Sequence, residues 1–190
     1  MNIFQETFST GKVVKAANIT NAKLQSWMRR DLIVGHRKKA PIGGGGAPGS
    51  SREFSYFNVM EIAVAEAVLQ VGSQSVEEAF HIAMGFAHMG NGASFWAGEE
   101  EPPLPRDPGM PFNPHVHPGC QTLLCVAGTA SVTVPWKPGS DAYIDARHKL
   151  HNPASMVIIE IDPIYERVVK ALGHNPWEVK QFCYSKVTEA

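Results

Sequence analysis

One short stretch, "ITNAKLQSWMRRDLI" (residues 19–33), carries Asn21, Lys23, Gln25, Ser26, Arg29 and Arg30. Thr20 precedes them. The chemistry these types share is recognition of base edges and phosphates. Glutamine can bond adenine in two places, arginine can do the same with guanine, and lysine and arginine neutralise phosphate. A second basic group follows at Arg37, Lys38 and Lys39, and a third position at Arg52. Between Ser9 and Arg52 nine basic residues face Asp31 alone, a net charge of +8. The whole chain is nearly neutral at -1, because residues 73–190 hold eight basic and thirteen acidic side chains. A basic head on an acidic body points to a polyanion at one end.

The elements that must position these side chains are legible in the spacing. Ser9 or Thr10 can cap a short helix over about Gly11 to Asn18, with Val13, Ala16 and Ala17 as its buried stripe. These small residues would let another helix approach closely. Asn18 to Thr20 makes a tight corner, and Thr20 is the expected N-cap of a second helix running to about Arg30. On that helix Leu24, Trp27 and Met28 share a core face; Lys23, Ser26 and Arg30 line another, flanked by Gln25 and Arg29. Asp31 follows where the helix ends, a position suited to left-handed backbone.

"LIVGHRKK" reads as a strand, "APIGGGGAPGSS" as a loop tip and "REFSYF" as the returning strand, which predicts a basic hairpin. "GGGG" is not a phosphate-binding loop, since no Gly-Lys-Ser/Thr follows it. Ser55 can cap the next helix, "YFNVMEIAVAEAVLQVG", which Gly72 ends, and "SVEE" (75–78) is a capping box that opens another through about Met89. Residues 91–119 are rich in Gly and Pro and read as a linker or loop. Beyond them "TLLCVAG", "ASVTV", "AYIDA" and "SMVIIEID" read as strands, and Asp162-Pro163 as the cap of a final amphipathic helix with Ile164, Val168 and Leu172 on one face.

The expected fold class is therefore α+β: a winged helix-turn-helix over 8–90, a linker over 91–119 and a small mixed module over 120–190. In "FSTGKVVKAANIT", "KLQSWMRRDLI" and "REFSYFNVMEIAVAEAVLQVG" the head resembles the MerR family of transcription regulators. Leu24, Trp27, Leu32 and Ile33 match that family's first signature, and Arg52, Phe54, Ser55, Asn58 and Val59 match its second. Gln25, Trp27 and Asp31 stand where the family usually has Arg, Tyr and Gly. The resemblance implies a DNA-binding regulator, not an enzyme, that binds double-stranded DNA as a homodimer and answers a small-molecule or protein effector. It implies DNA contacts from Thr20, Asn21, Lys23, Gln25, Ser26, Arg29, Arg30, Arg37, Lys38, Lys39 and Arg52. An excisionase-like architectural protein that bends DNA is the alternative within the same chemistry.

A different class rests on "HVHPGCQTLLC". His115 and His117 at i, i+2 would point the same way from an extended chain, and with Cys120 they form a candidate metal site for a small sensor or enzyme. The competing expectation is a Pro-rich loop with no cofactor. Cys120, Cys125 and Cys183 are too few for a disulfide framework, no apolar run is long enough for a membrane span, and the opening "MNIFQETFST" has no basic leader, so the expected location is the cytoplasm.

Overall fold

The computed structural model describes residues 2–36, 52–72, 74–90 and 106–184. Strand β1 (Thr7–Ser9) leads directly into helix α1 (Thr10–Ala17), with Ser9 as its N-cap residue but without a side-chain cap bond. Asn18 ends α1 in the left-handed region at φ 56°. Two residues later Thr20 Oγ1 accepts from Lys23 N at 3.2 Å and starts helix α2 (Asn21–Arg29). Asp31 is also left-handed, φ 56°, as its position after the helix predicts.

The next segment differs from expectation. Residues 32–36 form bends and turns, not a strand. Val34, which a strand partner would bond, is held by side chains: its N–H donates to the Glu61 carboxylate at 3.2 Å, and its carbonyl accepts from Asn58 Nδ2 at 2.9 Å. Glu61 and Asn58 are both buried. The returning strand is real, β2 (Glu53–Ser55), but it pairs antiparallel with β1 in the register Thr7↔Ser55, Phe8↔Phe54, Ser9↔Glu53. The expected tip of the hairpin lies outside the described residues, as do Arg37, Lys38 and Lys39.

Ser55 and Asn58 form a capping box that opens α3 (Tyr56–Gln70), and Ser75 and Glu78 form another that opens α4 (Val76–His88). Gly72, at φ 73°, lies just past the end of α3. Helix α3 is buried nearly all round, which marks it as the central helix.

In the second half β3 (Gln121–Ala127) pairs antiparallel with both β4 (Ala130–Trp136) and β5 (Val157–Glu160), in the order β4-β3-β5. The period of two divides the sheet cleanly. Leu123, Cys125 and Val134 face one way, onto Ala142, Ala146 and Leu150; Leu124, Val126 and Ile159 face the main core. "AYIDA", expected as a strand, belongs to helix α5 (Ala142–Lys149). Its alternation is misleading because Tyr143 and Ile144 are exposed, while the i, i+4 pair Ala142 and Ala146 is buried.

Helix α6 (Ile161–Leu172) buries Ile164, Val168 and Leu172 as the spacing predicts. Its N-cap, however, is Glu160, not Asp162. The Asp162 carboxylate instead accepts from Thr122 N at 2.6 Å and Lys180 Nζ at 2.8 Å, which ties α6 to β3 and to a further helix, α7 (Pro176–Tyr184). Helix α6 is therefore not the final one.

The two halves share a core. Val13, Ala16 and Ala17 of α1, most of α3, and Ile164, Val168, Val169 and Leu172 of α6 belong to one buried cluster. Lys12 Nζ donates to the Leu172 carbonyl at 3.4 Å, and Arg167 Nε to the Ala16 carbonyl at 3.3 Å. The described part of the expected linker is built into this core. Arg106 is buried and its guanidinium donates to the carbonyls of Phe86, Met89, Asp107 and Met110. Burial lowers its pKa to about 10, which still leaves it charged near neutrality. Gly109, at φ 68°, lets the backbone lie against Tyr56, whose hydroxyl donates to the Gly109 carbonyl at 2.8 Å.

Candidate functional site

Helix α2 owes its orientation to Leu24, Trp27 and Met28, all buried; Trp27 meets the Phe80 ring edge-on at 5.0 Å. At about 100° per residue, the opposite arc is centred on Ala22, Ser26 and Arg29, with Gln25 at one edge, while Asn21 lies beside Met28 at the border of the core face. Asn21 and Arg29 are exposed, and Gln25 and Ser26 are partly so. Gln25 Nε2 reaches Asn21 Oδ1 at 3.5 Å.

Lys23 and Arg30 lie at the margin of this arc and turn back toward the body. Lys23 Nζ sits 2.5 Å from Glu66 Oε2 and 5.2 Å from the centre of the Trp27 ring. Arg30 pairs with Glu77 at the start of α4. Hydrogen bonding from Arg30 holds the Glu77 carboxyl below its ordinary pKa. Arg52 is brought to the same helix: its Nη1 donates to Gln25 Oε1 at 3.2 Å and lies 3.1 Å from Met28 Sδ. Glu66 and Glu77 were not singled out in the sequence, and neither is near α2 in the chain. Glu66 also accepts from Gln70 Nε2 at 3.2 Å within α3, and neither position carries a local signal that it meets α2. Arg29 is the α2 cation with no hydrogen bond or ion pair among the described residues.

His36 closes the same side of the molecule. Its ring stacks on Phe54 with centroids 4.4 Å apart. Burial, reinforced by the charge of Arg52, pushes its pKa below the ordinary 6.5, although a hydrogen bond with Asn58 opposes this. Beneath it the buried Glu61 carboxylate lies 3.0 Å from His88 Nε2.

The three candidate metal ligands do not converge on one point. The chain at 113–120 is folded into turns, with His117 N donating to Asn113 O and Cys120 N to His117 O. His115 Nε2 lies 3.3 Å from Gln181 Oε1, whereas the His117 ring meets Phe112 edge-on at 5.2 Å. Among the described residues no group of three or more His, Cys, Asp or Glu side chains is arranged to hold a metal ion. Cys125 packs in the sheet as a small hydrophobe, and burial pushes its thiol up to about 11.

A cavity of about 380 Å³ lies elsewhere, where the N-terminal segment, α3, the loop after Arg106 and the end of α7 meet. Phe4, Phe57 and Phe182 line it together with Asp107 and Cys183. Sequence order hides this site, since its residues come from four distant stretches.

No family model matches the chain, and no curated protein matches it. Among the described residues no helix is long and apolar enough to cross a membrane.

Proposed function

We propose that this chain is a sequence-specific DNA-binding protein, a MerR-like transcription regulator that works in the cytoplasm as a homodimer on an inverted repeat. Helix α2 enters the major groove, and the basic segment that includes Arg37, Lys38 and Lys39 lies on phosphates. The observation that carries this reading is the open arc of α2. It presents an amide, a hydroxyl and a guanidinium with no partner among the described residues (Gln25, Ser26, Arg29), with exposed Asn21 at the N-terminal end beside them, on a helix whose other face is fixed in the core. These are groups that read base edges.

The arc also refines the assignment of roles. Arg29, Ser26 and Gln25 stand where bases would be met, and Asn21 lies at the edge of that arc toward the core face. Thr20 serves as a cap. Lys23 is drawn toward Glu66, and Arg52 positions Gln25. The Arg30–Glu77 pair is exposed on both sides, and such pairs contribute only about 0–1 kcal/mol, so a phosphate can displace Glu77.

The test is selection of genomic DNA fragments by the purified protein, repeated with Asn21→Ala/Arg29→Ala and with Glu77→Ala. A shared inverted-repeat motif that the double variant loses is the expected result. Glu77→Ala removes the competitor for Arg30 and should tighten binding without changing the motif. Weak enrichment without a motif, unchanged in the double variant, rejects the proposal.

A further inference from the structure

We propose that the cavity between the N-terminal segment and α7 is a binding site for a small organic cation with an aromatic or bulky alkyl body. As an effector site for DNA binding it rests on the function proposed above; as a ligand site it does not.

Three rings form the apolar part. Phe4 lies near-parallel to Phe57 and to Phe182, with interplanar angles of 24° and 23° and centroids 6.0 and 6.5 Å apart. Phe4 and Phe57 both also meet Tyr56 edge-on, which fixes their planes. Phe182 is 44% exposed, so the cavity opens at its side and a ligand has an entrance. A volume of about 380 Å³ falls within the roughly 300–1,000 Å³ of pockets that bury drug-sized ligands.

The charge of the lining selects the class. Asp107 is its carboxylate, and among the described residues no lysine, arginine or histidine lines the cavity. Oδ2 of Asp107 accepts from the Cys183 thiol at 2.9 Å, which holds the carboxylate at the wall. The neighbouring Arg106 donates its guanidinium to a set of buried carbonyls, that of Asp107 among them, and its charge also interacts with the Asp107 carboxylate. Phenylalanine faces carry negative quadrupole density, so three rings and one carboxylate together favour a cation and disfavour an anion. Weak hydration is needed for entry among the rings, which points to a substituted ammonium with an apolar body.

The position also suits an effector. The 3-10 turn Ile3–Gln5 that carries Phe4 leads straight into β1, and Phe57 follows Ser55, the last residue of β2, by two positions. The β1–β2 ladder in turn abuts α1 and Arg52. A ligand seated between the rings therefore presses on the ladder that carries the DNA-reading helices.

Titration with benzyltrimethylammonium, its neutral isostere neopentylbenzene and the anion phenylacetate, followed by NMR and calorimetry without DNA, tests the site. The cation should bind at least about tenfold tighter than the isostere, with shifts centred on Phe4, Phe57 and Phe182. Asp107→Asn should abolish that preference, and Phe182→Leu, at an exposed position that spares the core, should weaken the cation by about two- to fivefold. Equal affinity for the cation and the isostere, tighter binding of phenylacetate, no binding of any probe at millimolar concentration, or coverage of the cavity by a second copy of the chain would each overturn the proposal. Loss of DNA binding in the parallel fragment selection leaves these outcomes readable.

Discussion

Individual side chains in this protein are tied to one another across long stretches of chain, and the ties set their chemistry. His36 is the clearest case. Stacked on Phe54 and close to Arg52, it resists protonation in the folded state. Its pKa is lower folded than the 6.5 expected of the unfolded chain, so the unfolded state binds more protons in between, and stability rises with pH through that window. The contribution is complete above pH 6.5 and is lost as pH falls through the folded value. His117 adds to the same trend, since burial and Lys137 lower it too. Chemical denaturation at pH 7.5 and 5.5 should therefore show a loss of stability on acidification. His36→Phe, which keeps the stack, should make that loss smaller; an unchanged loss would show that His36 is not a source of it.

At the scale of elements, the junction of α1 with α6 decides how the head is held. Ala16 and Ala17 are fully buried, and the small side chains let α6 approach closely enough for Arg167 to bond the Ala16 carbonyl. Packing at this density tolerates no added volume. Ala17→Leu should destabilise the protein by about 1–3 kcal/mol, measured by urea denaturation. A neutral effect would mean that the junction has slack. The short ladder β1–β2 is the second hinge of the head. It buries Phe8 against Phe54 across the register, and so ties α1 to the start of α3. This explains why the strand before α3 is recognisable while its partner is not the segment that sequence order suggests. Val34 has its backbone bonds satisfied by Glu61 and Asn58, which removes the reason for that segment to be extended.

Over the whole molecule, the continuous cluster from Ile3 to Tyr184 predicts that the head does not stand alone. A fragment of residues 1–90 would expose the faces of α1 and α3 that α6 covers. It should show little cooperative unfolding by circular dichroism and poor amide dispersion by NMR, whereas the full chain should unfold in one transition. A well-dispersed fragment would show that the head is an independent domain. The same continuity places any ligand of the cavity against both ends of the chain. What the sequence by itself determined is local: the caps at Thr20, Ser55 and Ser75, the corner at Asn18–Thr20, the left-handed Asp31, the buried stripes of α1, α2 and α6, and the strands around Cys125. Each depends on contacts within a turn or two, where residue type and spacing are enough. Tertiary structure decided the rest. The partner of β2, the helix at Ala142–Lys149, the role of Asp162, the burial of Arg106 and the pairing of Lys23 and Arg30 with Glu66 and Glu77 all depend on groups far apart in the chain. Their outcome is set by which buried donors and acceptors find partners once the core closes, and no spacing along the chain encodes that.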